Sequence, residues 1–197
     1  QSPLAGSTIS GTTTITLTAD DGNGNTAQCT FDVIIGDTQN PTITCPANQT
    51  VNANASCQAI LADYTSMATV ADNCTPTGSI VVTQSPAIGS TISGTTTITL
   101  TATDANSNSA QCTFDVTVID NTAPAISCPA NIVVSNDAGV CGAVVSYTAP
   151  VGTDNCAGAT TTMTTVGTAS GATFPIGVTT VTYRVTDAAG LTADCSF

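Results

Sequence analysis

Residues 177–195 read G-V-T-T-V-T-Y-R-V-T-D-A-A-G-L-T-A-D-C. Apolar side chains alternate with threonine up to Thr186, Asp187 and Gly190 frame a short break, and a second run ends on Cys195. A period of two puts Val181, Tyr183 and Val185 on an inner face and Thr182, Arg184 and Thr186 on an outer one, which marks a half-buried strand. The Asp/Gly break is a turn by composition. The stretch predicts a hairpin with one face in a core.

Sliding the sequence by 83 positions puts Gly177 on Gly94 and Gly11, Asp187 on Asp104 and Asp21, and Cys195 on Cys112 and Cys29. Residues 6–19 and 89–102 are identical. The period is too long for a solenoid unit and close to one small sandwich domain, so each repeat is expected to be a whole domain. Residues 1–36 read as the C-terminal half of one repeat, 37–119 as a complete repeat, and 120–197 as a repeat with a shortened last strand. Proline-bearing stretches at 37–41 and 120–124 read as short, semi-rigid linkers. Beginning and ending within a repeat, the chain is expected to be a window from a longer protein, with its anchor and secretion machinery elsewhere.

Strands are expected at 14–19 and 27–35, then at 42–51, 57–64, 79–83, 95–103 and 110–119. In the first of these Ile15, Leu17 and Ala19 should face a core. Apolar residues nowhere recur at helical spacing for long. The fold class expected is all-β, a tandem string of sandwich domains.

Thirteen acidic residues stand against a single basic one, giving a net charge of −12 with no histidine. Such a surface repels phosphate backbones and anionic headgroups, so nucleic acid is excluded as a partner. No apolar run reaches the roughly 18 residues a membrane span needs, so no membrane insertion is expected in this segment. Catalysis near neutral pH usually needs a tunable acid or base, and the chain has no His, Lys or Glu. It does not read as an enzyme. Nine cysteines recur at fixed places without a C-x-x-C pair, which reads as a disulfide framework formed in an oxidising, extracellular setting.

Four motifs occur together: Cys-Pro (45–46 and 128–129), Asp-Asn-Cys (72–74 and 154–156), Gly-x-x-Phe-Pro-x-Gly (171–177), and Thr-Asp-x-x-Gly before a final Cys-x-Phe (186–197). In this combination the chain resembles the hyalin repeat, although the second repeat reads Ile92-Ser93 in place of Phe-Pro. The resemblance covers essentially the whole chain. It implies immunoglobulin-like sandwiches, a cell-surface or secreted location and a role in adhesion. Threonine-, alanine- and asparagine-rich arrays with almost no lysine look more like those of giant bacterial surface adhesins, including the gliding-motility adhesins of Bacteroidota.

In the sandwich so implied, the second and third cysteines of a repeat flank one strand and lie too far apart to bond. In the hairpin turning at 136–139, Cys128 would face a residue near Tyr147 and not Cys141. The pairing expected is Cys45 with Cys74, Cys57 with Cys112, Cys128 with Cys156, and Cys141 with Cys195, leaving Cys29 unpaired. The same fold gathers Asp37, Asp72, Asn73 and Asp104 at one pole of the second repeat, and Asp120, Asn121, Asp154, Asn155 and Asp187 at the matching pole of the third. Carboxylate and amide oxygens are what Ca²⁺ selects, which makes the six aspartates candidate ligands. Asp, Asn and Gly are also ordinary turn formers, and no contiguous D-x-D-x-D-G loop is present.

Three functions remain open. The repeats are a passive spacer in a surface adhesin, an adhesive that itself binds polysaccharide, a substratum or other surface proteins in a calcium-dependent way, or part of a structural extracellular-matrix or filament protein. Few exposed aromatics and near-identical successive repeats favour the spacer.

Overall fold

A computed structural model describes residues 1–165 and 169–197. Strands dominate them, with single 3-10 turns at Thr65–Met67 and Thr77–Ser79 and no α-helix among the described residues. Threonine and valine are stiff at χ1 and sit well on a pleated surface, so these sequences extend.

In chain order the strands are β1 (Thr12–Asp20), β2 (Thr26–Ile34), β3 (Thr42–Thr44), β4 (Gln49–Asn52), β5 (Ala59–Ile60), β6 (Thr69–Ala71), β7 (Val81–Ser85) and β8 (Thr91–Ile92). They continue with β9 (Thr95–Thr103), β10 (Ser109–Ile119), β11 (Gly142–Val145), β12 (Thr160–Met163), β13 (Ala172–Pro175), β14 (Thr182–Thr186) and β15 (Thr192–Ser196). The sheet orders are β4-β10-β9-β7, β12-β14-β15 and the pairs β1-β2, β3-β6, β5-β8 and β11-β13. The repeats are tandem immunoglobulin-like β-sandwiches.

The chain forms two compact units, one of residues 1–45, 65–83 and 100–112, the other of residues 46–64, 84–99 and 113–197. In the first, Ile80, Leu100 and Ala102 are buried. In the second, Leu61, Ile98, Val116, Val181 and Val185 are almost fully buried, and Tyr64 packs edge-on against Phe114 at 5.3 Å. Val181, Tyr183 and Val185 all face inward and Arg184 outward, where it makes a bidentate ion pair with Asp194 at 2.8 Å. Gly152 is required by packing, because a Cβ there would lie 2.5 Å from the Val185 side chain.

Three expectations about strands need correction. The run 57–64 is strand only at β5, Ala59–Ile60, because Cys57 is taken up by the turn that opens at Asn54. The run 42–51 is not one strand. It breaks at Cys45-Pro46 into β3, which pairs with β6, and β4, which pairs in parallel with β10. Proline has no N–H to donate, which suits the point where the chain changes sheets. Leu17 and Ala19 are also exposed, although their twins Leu100 and Ala102 are fully buried. Sequence sets which residues alternate; burial needs a second layer, and β1 with β2 is a sheet of two strands only.

None of the four expected disulfides is present. The bonds are Cys45–Cys112, Cys128–Cys195 and Cys57–Cys156, while Cys29, Cys74 and Cys141 are free. Thus Cys45 does not bond Cys74, Cys57 does not bond Cys112, Cys128 does not bond Cys156, and Cys141 does not bond Cys195. The physical reason is the parallel pairing of β4 with β10. Gln49 stands opposite Val116, a register offset equal to the 67-residue separation of Cys45 and Cys112. Extending that register backward by four residues brings the two cysteines together, with their Cα atoms 5.7 Å apart. Cys128 and Cys195 have the same separation of 67.

Candidate functional site: the carboxylate poles

Each pole is built from an Asp-led hairpin turn. In the second repeat Asp104 Oδ1 accepts hydrogen bonds from the backbone N–H groups of Asn106 and Asn108, both at 2.8 Å, and its Oδ2 accepts one from Asn108 Nδ2 at 2.7 Å. The Asn106 and Asn108 amides also donate to the Asp37 carbonyl at 3.4 and 3.2 Å, tying the linker to the turn. The turn needs a left-handed residue at its fourth position. Ser107 takes it at φ 71°, where Gly24 and Gly190 stand in the other repeats.

The Asp-Asn-Cys loop supplies the next carboxylate. Asp72 Oδ2 accepts from the N–H groups of Cys74 (2.9 Å) and Thr75 (2.8 Å). Those N–H groups, Thr75 first, hold the Asp72 carboxyl below the usual carboxylate range, so it is charged at neutral pH. Oxygens of Asp37, Asp72 and Asp104 come within 4.8 Å of one another. Partial desolvation, reinforced by the field of these three carboxylates, pushes the Cys74 thiol above its ordinary range.

The third repeat repeats the plan with one change. Asp154 Oδ2 accepts from the Cys156 N–H at 2.9 Å, as Asp72 does from Cys74. The group that closes to 4.8 Å is Asp120, Asp154 and the Cys156 sulfur, and Asp187 is not a member of it. The Cys156 sulfur is committed to Cys57 and is not a free thiolate ligand. Asn121 Nδ2 donates to Asn52 Oδ1 at 2.8 Å, so this asparagine serves the joint between repeats.

What the sequence did not reveal is how many oxygens here lack a partner. Asp37 Oδ2 and Asp72 Oδ1 at one pole are buried with no hydrogen bond, as are Asp120 Oδ2, Asp154 Oδ1, Asn155 Oδ1 and Asp187 Oδ2 in the third repeat. Buried polar atoms are nearly always satisfied, and leaving one unpaired costs about 1–3 kcal/mol. Two such oxygens at one pole and, Asp187 apart, three at the other are hard donors of the kind a divalent cation takes. The residues present fit calcium: Asp37, Asp72 and Asp104 would hold an ion at one pole, and Asp120, Asp154 and Asn155 at the other.

Asp187 has a local explanation. It is 6% exposed, and its Oδ1 accepts from the Leu191 N–H, but Leu191 stands where Asn108 supplies a side-chain amide to Asp104. Leu191→Asn should give Asp187 Oδ2 its missing donor and stabilise the third repeat by about 1 kcal/mol in chelator. Urea denaturation read by circular dichroism checks this.

A model of the HYR domain matches residues 36–118 and 119–197. The chain belongs to the HYR-domain family. Hyalin of Strongylocentrotus purpuratus is 36% identical over 189 residues, a match that covers 91% of this chain and 15% of hyalin. The HYR segment described here therefore spans only a small part of that relative. Among solved structures, protocadherin gammaB7 EC3-6 is similar over 94% of the HYR chain and 57% of its own, at 16% identity and a TM-score of 0.42. Human CDH23 EC21-23 is similar over 94% and 72%, at 13% identity and a TM-score of 0.41.

Proposed function

We propose that these HYR repeats, with boundaries at residues 36/37 and 119/120, are a non-enzymatic spacer in an extracellular, cell-surface adhesion protein, with calcium held at the joints between repeats. The observation that carries the calcium assignment is the set of buried oxygens without partners on Asp37 and Asp72 at one pole and on Asp120, Asp154 and Asn155 at the other. An ion there would replace missing hydrogen bonds and stiffen the joint, which is what a spacer needs. Extracellular adhesion agrees with the HYR family, the likeness to hyalin, and three disulfides. No helix among the described residues is long and apolar enough to cross a membrane. A gliding-motility adhesin of bacterial type rests on composition alone, and the likeness to hyalin adds nothing to it.

The competing function is direct adhesion by the repeats. Tyr64 and Tyr183 are buried and therefore closed to sugar stacking, which favours the spacer. Beads coated with the chain should not attach to polysaccharide films or glass, in calcium or in chelator. Firm attachment that calcium switches on would overturn the spacer and make the repeats the adhesive.

A further inference from the structure

Cys57 and Cys156 belong to successive repeats, so their bond crosses a joint. Cys57 lies in the turn that opens at Asn54, where Asn54 N–H donates to the Gln58 carbonyl at 2.7 Å and Cys57 N–H to the Asn54 carbonyl at 3.0 Å. Its φ of 58° is a left-handed conformation uncommon for a residue with a side chain. Across the joint, Asn155 Nδ2 donates to the Asn54 carbonyl at 3.2 Å, so the two loops meet at backbone as well as at sulfur.

Both halves of this latch recur with their sulfurs free. The third repeat has a related turn, longer by one residue: Asp137 N–H donates to the Gly142 carbonyl at 2.8 Å and Val140 N–H to the Asp137 carbonyl at 3.3 Å, and exposed Cys141 stands just before the closing Gly142 as Cys57 stands just before the closing Gln58. The second repeat has the receiving loop. Cys74 N–H donates to Asp72 as Cys156 N–H does to Asp154, both at 2.9 Å, and Asn73 and Asn155 each direct Nδ2 at the neighbouring sulfur. A repeat therefore carries a donor turn and an acceptor loop, and only matching halves from adjacent repeats are seen to join.

We propose that every joint of such an array is closed by a disulfide from the second cysteine of one repeat to the third cysteine of the next. Cys74 is then the half that receives the preceding repeat, and Cys141 the half that engages the following one. Each bond forms by exchange with a disulfide oxidant of the export compartment: two thiols lose two protons and two electrons and become one disulfide, while the oxidant's disulfide is reduced to two thiols. The bond involves no metal, so its test is run in chelator and stands apart from the calcium assignment.

Duplicating residues 37–119 in frame, so that the chain reads 1–119, 37–119, 120–197, creates one new joint. Thiol titration of the denatured, unreduced protein should find three free thiols, the number in the present chain. If the added joint stayed open, Cys57 of the first copy and Cys74 of the second would join those three, and a count of five would overturn the proposal. Cys74→Ser in the second copy should strand Cys57 of the first and raise the count from three to four. A count of two in that variant would place the bond inside one copy and overturn it equally. Recovery of the Cys128–Cys195 peptide in each digest shows that the protein has folded.

Discussion

Removing the bond that follows the parallel strands, by replacing both Cys45 and Cys112 with serine, is expected to cost the second repeat about 4 kcal/mol. The figure comes from the loop that the bond closes in the unfolded chain: a 67-residue separation corresponds to that entropy at room temperature. Small sandwiches with few aromatics bury little apolar surface, so a loss of this size is a large part of their stability. The double substitution avoids a lone thiol that could exchange into the Cys57–Cys156 disulfide. Urea unfolding of the oxidised protein and the variant reads the difference directly. A loss under about 1 kcal/mol would show that the strands already constrain the chain without the sulfur. The Cys128, Cys195 pair should behave the same way, because its separation is also 67.

The second large effect is a contrast between twins. Leu17 and Leu100 sit in the same T-I-T-L-T-A sequence, one 40% exposed and the other 0%. Leu100→Ala should cost about 3 kcal/mol, combining lost transfer energy with a cavity in the core. Leu17→Ala should cost under about 0.5 kcal/mol, as an exposed substitution does. Chemical denaturation of the two single variants measures both. Equal losses would mean that β1 and β2 have a covering layer in solution, against the two-stranded sheet they form here.

These twins show what in the fold was legible. Alternation located β9, β10, β14 and β15 and told inside from outside wherever a second layer exists, since a period of two is a property of the strand itself. It could not tell that residues 42–51 change sheets at Pro46, because both halves alternate alike. The disulfides depended on that hidden step. Sequence placed Cys57 and Cys74 at opposite ends of one strand and ruled out their bonding. Requiring every cysteine to find its partner inside its own repeat then forced wrong pairs.

The poles were legible in part, for a different reason. Asp37, Asp72 and Asp104 are each fixed by a turn, and turns are local, so their convergence followed once a sandwich was assumed. Asp187 stands outside the matching group, and the exchange of Asn108 for Leu191 leaves one of its oxygens without a donor. Burial of unpaired oxygens is a tertiary fact with no sequence signature. It turns a cluster of turn residues into a candidate cation site.

The most direct measurement is thermal unfolding of the chain at 1–5 mM calcium and in chelator, with Asp72→Asn and Asp154→Asn beside it. Calcium should raise the melting temperature, since an ion at about a hundred times its dissociation constant adds about 2.7 kcal/mol per site. Each substitution should remove part of that rise by weakening one pole, and calorimetric titration should count two ions on the unaltered chain. Identical melting with and without calcium, and no heat of binding, would contradict calcium at the joints and leave disulfides and packing alone to hold the repeats.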